Sequence, residues 1–401
     1  MRIDAEPEIH VSGYGSPVSR AQESCTLGPG VPLRSTPGFM LSPAPRAKTA
    51  AASKTARTKA MKPNISRRSR DAARKGITLS HEALVRESFL NDSALPLMLL
   101  PAVDGLSLAE WTRNNVDLVK ERLSKIGALL FRGFNVPGVA DFEEFMTVVA
   151  GDLLDYSYRS TPRTKVSGKI YTSTEYPADQ TIPLHNEMSY TRQWPMVLGF
   201  FCVEPSPEGG ETPIADSRKV FKRIAPEIRD RFMRKNVLYL RNYGAGLDLS
   251  WQNVFQTQER TEVEEYCRQS GIEFEWKSEE RLRTSQLCQA VAAHPRTNEQ
   301  VWFNQAHLFH ESSLEPHVRE ALLVAAGEEQ PRTAYFGDGL EIDDRDLEQV
   351  RAAYASETVT FPWQKGDVML VDNMLVAHGR RPYRGPRKIV VGMGELYQAT
   401  K

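Results

Sequence analysis

Two short segments almost two hundred residues apart constrain this chain more than any other feature. The first contains His185 and Glu187, and the second contains His378 followed nine residues later by Arg387. Two imidazoles and one carboxylate are the ligand set of a mononuclear non-haem iron(II) site, which leaves coordination positions open. The guanidinium of Arg387 offers a forked donor for a carboxylate. A fold that uses these residues together must bring the two segments side by side.

The spacing of His185 and Glu187 favours a β-strand. Residues two positions apart on a strand point to the same face, so a β-barrel can present both to one metal. A His-x-Glu triplet alone occurs by chance in many chains. A histidine that follows an apolar strand, as His378 does, is more often a core or surface residue than a ligand. The combination with Arg387 nevertheless favours a metal site.

Composition narrows the possible classes of protein. Hydrophobic residues make up 40% and charged residues 25% of the 401 residues, which is ordinary for a soluble globular protein. No apolar run approaches the roughly 18–20 residues that span a bilayer, and the N-terminus lacks a secretory pattern. The four cysteines are widely spaced, so we expect a reducing environment rather than a disulfide framework. A cytoplasmic protein that does not bind membranes is predicted.

The formal net charge is zero, but the charges are unevenly distributed. Residues 46–75 contain eleven Lys or Arg and one acid, whereas residues 76–401 carry about −9. An acidic main part argues against general nucleic-acid binding. Residues 1–80 are rich in Pro, Ser, Ala, Gly and Arg without an apolar period, which predicts a disordered, basic N-terminal extension. A tail without chemistry (with Met61 as the true start), a docking arm for an acidic partner and an organelle transit segment remain open.

Periodicity predicts both helices and strands, with the strand signals concentrated in the latter part of the chain. Apolar residues at helical spacing predict helices over 106–126, 141–150, 218–235 and 251–270. Short apolar or alternating runs predict strands over 127–133, 358–361, 368–371 and 388–392. We expect order to begin near Ala94.

Several runs of residues, in this order and spacing, resemble the TauD/TfdA-like superfamily of iron(II)- and 2-oxoglutarate-dependent dioxygenases. The resemblance covers residues 94–396, which we interpret as one dioxygenase domain. It is strongest to the subgroup with Glu rather than Asp in the triplet, which includes clavaminate synthase-like and SyrP-like hydroxylases. The matching runs are Gly127–Phe134, Thr181–Tyr190, Gly209–Thr212, Val301–Gln305, Asp372-Asn373, His378–Pro382 and Arg387.

The resemblance implies a fold, a set of cofactors and a set of site residues. The fold is mainly β with flanking helices, a double-stranded β-helix or jelly roll with the helices outside and a long insert between its halves. The cofactors and co-substrates are Fe(2+), 2-oxoglutarate and O2. His185, Glu187 and His378 are implied as the iron ligands, and Thr212 and Arg387 as partners of the distal carboxylate of 2-oxoglutarate. Arg380, Arg381 and Arg384 compete with Arg387 for that role.

Other polar residues are candidates for substrate binding. Arg163 and Arg192 lie on either side of the His-x-Glu triplet in the sequence and suit a substrate carboxylate, although a surface position is the ordinary alternative. Asn304 lies among three histidines, His294, His307 and His310. These groups fit the substrate side of a site or core packing better than a second metal.

The resemblance implies hydroxylation of an unactivated C–H bond. The implied substrate is an amino acid, free or tethered to a carrier protein of non-ribosomal peptide, antibiotic-type biosynthesis. The acidic main part of the chain is a poor match for an acidic carrier, so a free amino acid competes. Desaturation or epoxidation would use the same residues. A non-catalytic jelly-roll binding or regulatory protein and a zinc hydrolase are the alternatives from other classes, and the oligomeric state is open.

Overall fold

The protein is represented by a computed structural model. It describes residues 84–90, 93–155, 163–174, 176–244, 249–326 and 330–399. All of these belong to one compact unit, Lys75–Lys401, whereas the predicted N-terminal extension lies outside the described residues. No helix among the described residues is long and apolar enough to cross a membrane.

The strands within the described residues are numbered in chain order. They are β1 (Val85–Phe89), β2 (Leu97–Pro101), β3 (Ala128–Phe131), β4 (Lys165–Ser167), β5 (Ile170–Thr172), β6 (Ile182–His185), β7 (Gln193–Glu204), β8 (Glu208–Gly209), β9 (Ile214–Asp216), β10 (Val237–Tyr243), β11 (Glu273–Trp276), β12 (Leu282–Cys288), β13 (Val291–Ala293), β14 (Gln300–Trp302), β15 (Arg332–Phe336), β16 (Val368–Asp372), β17 (Val376–Arg380), β18 (Tyr383–Arg384) and β19 (Lys388–Gln398).

The helices are numbered in the same way. They are α1 (Leu108–Arg113), α2 (Val116–Ile126), α3 (Val139–Ala150), α4 (Ser217–Arg223), α5 (Pro226–Lys235), α6 (Trp251–Phe255), α7 (Arg260–Ser270), α8 (Ala306–Phe309), α9 (Pro316–Ala326) and α10 (Asp344–Glu357).

A sheet of eight strands is the largest sheet among the described residues. Its strand order is β1-β2-β3-β16-β7-β19-β5-β4, and β2–β3 is its parallel pair. Every residue of β7 from Trp194 to Cys202 is buried, because the strand is covered on both faces and therefore reads as a continuous apolar run rather than an alternating one. The helix α3 covers one of these faces, with Phe142 stacked on Phe201 at 5.5 Å between ring centroids.

A smaller sheet faces the large one and carries the candidate site. Its order is β6-β17-β9, and His378 on β17 is the register partner of His185 on β6. The His378 ring lies 5.1 Å from the Phe200 ring of β7, so the two sheets pack face to face. This arrangement of strands distant in the sequence, with helices outside, confirms the predicted jelly roll.

A long insert between β9 and β16 builds a second layer. Its four-stranded sheet has the order β11-β12-β10-β15, and a separate apolar core lies between this sheet and the helices α4–α8 and α10. The strand β15 pairs with β10 so that Arg332 lies opposite Arg241. The insert places this strand pair close to the candidate site.

Three predicted helices are each divided in two. The helix over 106–126 breaks because Asn114 and Asn115 donate their side-chain amides to the carbonyls of Glu110 and Trp111, which competes with helix continuation. The helix over 218–235 breaks before Pro226, which has no amide donor, and the helix over 251–270 breaks at Gln256, with φ of 59°. The predicted strand 358–361 is a single bridge from Val359 to Ile214. Ordered structure also begins earlier than the predicted Ala94, because β1 starts at Val85.

The centre of the large sheet leaves no room for a side chain at Gly199. A Cβ there would lie 2.1 Å from the Met146 sulfur and 3.2 Å from the Phe142 ring, and both side chains are fully buried. We expect Gly199→Ala to lower the free energy of unfolding by about 1–3 kcal/mol, the usual cost of overpacking a core. In a Met146→Ala background the same change should cost much less, because the tightest contact is gone. Chemical denaturation of the four proteins tests this, and equal costs in both backgrounds would contradict it.

Candidate functional site

Three side chains of the smaller sheet and its adjoining turn converge on one point. One ligand atom each from His185, Glu187 and His378 lies within 4.8 Å of the others, and no other such group of three or more occurs in the described part of the chain. The Nε2 atom of His378 lies 3.9 Å from Oε2 of Glu187. This arrangement suits a transition metal that is held on one side by two imidazole nitrogens and one carboxylate oxygen. The coordination positions on its other side stay open.

The two histidines are held in a form that can coordinate a metal. Nδ1 of His185 donates to the Pro183 carbonyl at 2.8 Å, which leaves the Nε2 lone pair free, a common way of orienting a ligating imidazole. Burial is the main cause that lowers the pKa of His185, and it holds the pKa of His378 well below its usual value, with His185 and Arg163 adding to the effect. Neutral imidazole is the form that binds metal.

Glu187 reaches the site from a turn and not from the strand. β6 ends at His185, and Met188 just beyond Glu187 has a φ of 57°. The prediction that both residues lie on one strand is therefore wrong for Glu187. Its carboxylate still lies beside His185, because the backbone around it is held from the neighbouring segment.

The side chain of Asn373 fixes the backbone of Glu187 through hydrogen bonds. Its Oδ1 accepts from the Glu187 amide at 2.7 Å, and its Nδ2 donates to the carbonyls of Glu187 at 2.9 Å and Pro195 at 2.8 Å. Asn186 reciprocates by donating to the Asn373 carbonyl at 2.7 Å. All of these groups are buried, so they stabilise one geometry strongly.

Arg163 contacts the carboxylate of the triad directly. Its Nη2 atom lies 2.6 Å from Oε2 of Glu187, and both side chains are buried. A buried carboxylate is costly without a cation or metal beside it. The structure therefore brings Arg163 to the site, as a partner of Glu187.

Thr212 and Arg387 line the same cavity as the two histidines. Thr212 is buried, and its Oγ1 accepts from the Trp363 indole at 3.1 Å, so its hydroxyl proton can be donated to a ligand. Arg387 donates from Nε to the Gly210 carbonyl at 2.8 Å and from Nη1 to Ser173 at 3.4 Å. A Cβ on Gly210 would lie 2.9 Å from the Arg387 side chain, which explains the Gly-Gly turn.

Arg387 forms no ion pair with the described residues. No carboxylate of the described residues lies within 4 Å of its guanidinium, and its Nη2 group has no hydrogen-bond partner among them. Burial, with Arg380 nearby, lowers the pKa of Arg387 to about 10. An anionic ligand in this cavity would offset that cost.

The neighbouring arginines are used differently. Arg380 donates to the carbonyls of Tyr176, Pro177 and Gln180, so it anchors the segment before β6. Arg384 is exposed and pairs with Glu208 at 3.7 Å. Arg381 is exposed and lines a different cavity. This distribution favours Arg387 over its competitors.

Two candidate substrate residues lie away from the cavities that reach the triad. Arg192 lines neither of them. Asn304 is fully buried, donates to the Ala290 carbonyl at 2.7 Å and accepts from the Ala306 amide at 3.0 Å. Both ends of its amide are thus used to hold the backbone before α8.

His294, His307 and His310, which cluster in the sequence, do not converge on a common point. His294 donates to Asp372 at 3.0 Å, and His307 donates to the Leu184 carbonyl at 3.1 Å. His310 accepts from the Ser312 amide at 3.2 Å. Burial lowers the pKa of His307 to about 3. Each histidine supports a local backbone segment behind the triad.

A second cleft reaches the triad from the insert. It is lined by His185, Glu187 and Arg163, and by Tyr190 and Gln305 from two of the family-like runs. The fold adds further lining residues, namely Thr174, Tyr176, Leu308, Phe309, Leu314 and Arg332. Gln305 donates to the Asn186 carbonyl at 2.8 Å. This cleft opens directly beside the triad.

Comparison with known proteins decides the family. A family model described as taurine catabolism dioxygenase TauD, TfdA family, matches residues 93–393. The chain belongs to the TauD/TfdA dioxygenase family. It is therefore an enzyme of the dioxygenase class, and the jelly roll is the fold expected of such a member.

Two relatives of this TauD/TfdA protein are similar over most of their length. The dapdiamide synthesis protein DdaC of Enterobacter agglomerans is 45% identical over 276 residues, which are 69% of this chain and 84% of that protein. A clavaminate synthase-like protein of Arabidopsis thaliana is 33% identical over 289 residues, 68% of this chain and 82% of that protein.

Solved structures are more distant. The PvcB protein of Pseudomonas aeruginosa aligns with a TM-score of 0.47 at 15% identity, over 77% of this chain and 90% of that chain. AAD-2 in complex with Mn(II) and N-oxalylglycine aligns with a TM-score of 0.45 at 14% identity, over 79% and 98% of the two chains.

The role of Asn373 leads to a prediction about metal affinity. Asn373→Ala removes the bonds that place Glu187, so we expect iron(II) to bind about 10–100-fold more weakly, as for other residues that orient a metal ligand. Anaerobic calorimetric titration with iron(II) measures this. Asn253→Ala, an exposed change on α6, is the matched control. Wild-type affinity in a folded Asn373→Ala protein would contradict the positioning role.

Proposed function

We propose that this protein is an iron(II)- and 2-oxoglutarate-dependent dioxygenase that hydroxylates an unactivated C–H bond of an amino acid or a carrier-tethered aminoacyl group. The observation that carries the proposal is the convergence of His185, Glu187 and His378 on a cavity that also contains Thr212 and Arg387. Iron(II) and 2-oxoglutarate, when bound, supply the activation of dioxygen, with the 2-oxo acid converted to succinate and carbon dioxide.

In the proposed site, one group of residues binds the metal and another group binds the co-substrate. His185, Glu187 and His378 hold the iron from one side, which leaves positions for a chelating 2-oxo acid and for oxygen. Arg387 and the Thr212 hydroxyl bind the distal carboxylate of 2-oxoglutarate by charge-assisted hydrogen bonds. A zinc hydrolase needs no such pair of groups for a dicarboxylate, so their presence beside the triad favours the oxygenase.

The substrate class rests on the relatives and on the second cleft. DdaC, by its name, takes part in dapdiamide synthesis, which supports a place in specialised, antibiotic-type peptide metabolism. The second cleft reaches His185 and Glu187 and is lined by apolar and polar groups, as suits a small substrate. Desaturation and epoxidation remain alternatives, because they would use the same residues.

The remaining parts of the proposal concern the chain outside the site. The catalytic domain spans residues 94–396, supported by the family match over 93–393. Residues 1–80 form a basic extension that precedes it. We assign the protein to the cytoplasm because its three described cysteines are unpaired, and we propose no nucleic-acid or membrane partner.

The metal assignment predicts a loss of turnover. His378→Ala removes one imidazole ligand, so we expect no measurable consumption of 2-oxoglutarate and strongly weakened iron(II) binding. His317→Ala changes an exposed histidine of α9 and should behave as the wild type. Substantial turnover by His378→Ala would show that the triad is misassigned.

The co-substrate assignment predicts a separate effect. Arg387→Ala removes a charged hydrogen-bond donor, so the concentration of 2-oxoglutarate needed for half-saturation should rise about tenfold or more, with iron(II) affinity unchanged. Arg384→Ala, which removes an exposed guanidinium nearby, should leave the 2-oxoglutarate requirement unaltered. A larger effect of Arg381→Ala or Arg384→Ala than of Arg387→Ala would assign the carboxylate to another arginine.

A further inference from the structure

The second cleft contains a cation that neither the triad nor the co-substrate cavity uses. Arg332 begins β15 in the insert and lines the cleft together with His185 and Glu187. It is exposed, and its guanidinium lies 5.5 Å from the centre of the Phe309 ring. No carboxylate of the described residues lies within 4 Å of it.

A second arginine and two aromatic rings lie beside Arg332. Its register partner across the strand pair is Arg241, whose guanidinium lies 5.9 Å from the Tyr190 ring. Tyr190 and Phe309 contact each other at 5.2 Å between ring centroids. One aromatic wall of the cleft is thus flanked by two arginines.

The other charges of the cleft do not balance Arg332. Among the described residues that line it, Glu187 is the sole acid, and Arg163 already neutralises this carboxylate at 2.6 Å. Metal binding would neutralise Glu187 further. The described lining residues therefore leave the charge of Arg332 unbalanced, and the lining also includes the apolar side chains of Ile182, Leu308 and Leu314.

We infer that Arg332 determines substrate specificity by binding an anionic group of the substrate, remote from the carbon that is oxidised. This inference rests on the proposed function, because it treats the second cleft as the substrate cleft. A guanidinium binds a carboxylate or a phosphate through paired hydrogen bonds. The anionic group is either the carboxylate of a free amino acid or the phosphate of the pantetheine arm of a carrier protein, and Arg163 remains the partner of Glu187.

Matched probes with and without the tested anionic group examine the inference without turnover. The full-length protein, loaded anaerobically with iron(II) and 2-oxoglutarate, is titrated by calorimetry with two probe pairs. One pair is L-aspartate and its α-amide, which lacks only the α-carboxylate. The other is the aspartyl thioester of pantetheine 4′-phosphate and that of pantetheine, which lacks only the phosphate. The wild type should bind the member that has the tested group about tenfold more tightly than its counterpart in one of the pairs, the usual size of a charge-assisted contact.

Substitution of Arg332 should abolish this difference. Arg332→Gln is expected to lose the tenfold preference and to retain the affinity for the probe that lacks the tested group, and Arg332→Lys should keep part of the preference. Arg345→Gln, an exposed change on α10, is the control and should match the wild type. The pair that shows the preference identifies the source, a free amino acid or a carrier arm.

Two results would overturn the inference. One is a wild type without preference for the member that has the tested group in either pair, and the other is an unchanged preference in Arg332→Gln. The visible spectrum recorded after loading separates this failure from that of the proposed function. A spectrum typical of chelated 2-oxoglutarate, together with an unaltered preference in Arg332→Gln, contradicts the role of Arg332 alone, whereas loss of that spectrum in the wild type contradicts the oxygenase itself.

Discussion

The hydrogen bonds between the Asn373 side chain and the backbone of Glu187 are the interaction on which the candidate site depends. They join a turn after β6 to the segment between β16 and β17, at distances of 2.7 Å and 2.9 Å. The segment is itself held by Asp372, which accepts from the amides of Met374 and Leu375 and from His294. Since every member is buried, removing one leaves an unsatisfied polar group, and the network has one stable arrangement.

Two cavities lie beside this network, and each contains an arginine with a different role. In the cavity with Thr212, Arg387 has no carboxylate partner among the described residues, and burial lowers its pKa, which suits a co-substrate carboxylate. In the cleft toward the insert, Arg163 is occupied by Glu187, and Arg332 is the unbalanced cation. The family membership establishes a dioxygenase, and we propose that one of these cations binds the co-substrate and the other the substrate.

The sequence predicted the parts of the site that have characteristic residue types and spacing. His185, Glu187, His378 and Arg387 stand out because metal and carboxylate chemistry requires those side chains, and the jelly roll followed from the family resemblance. Arg332 and Tyr190 could not be predicted as neighbours, since only the pairing of β15 with β10 and the packing on α8 bring them together. The divided helices escaped prediction because apolar periodicity continues through Asn114 and Asn115, whereas their side-chain bonds to the backbone end the helix.

We propose that the triad and Arg387 form one binding site for iron(II) and 2-oxoglutarate. The decisive experiment is anaerobic titration of the metal-free protein with iron(II), with 2-oxoglutarate and with both, followed by visible spectroscopy. A weak charge-transfer band should appear only when both are present, because only a 2-oxo acid chelated to the metal produces it. Bound iron(II) without any new band on addition of 2-oxoglutarate would show that the triad and Arg387 do not form such a site.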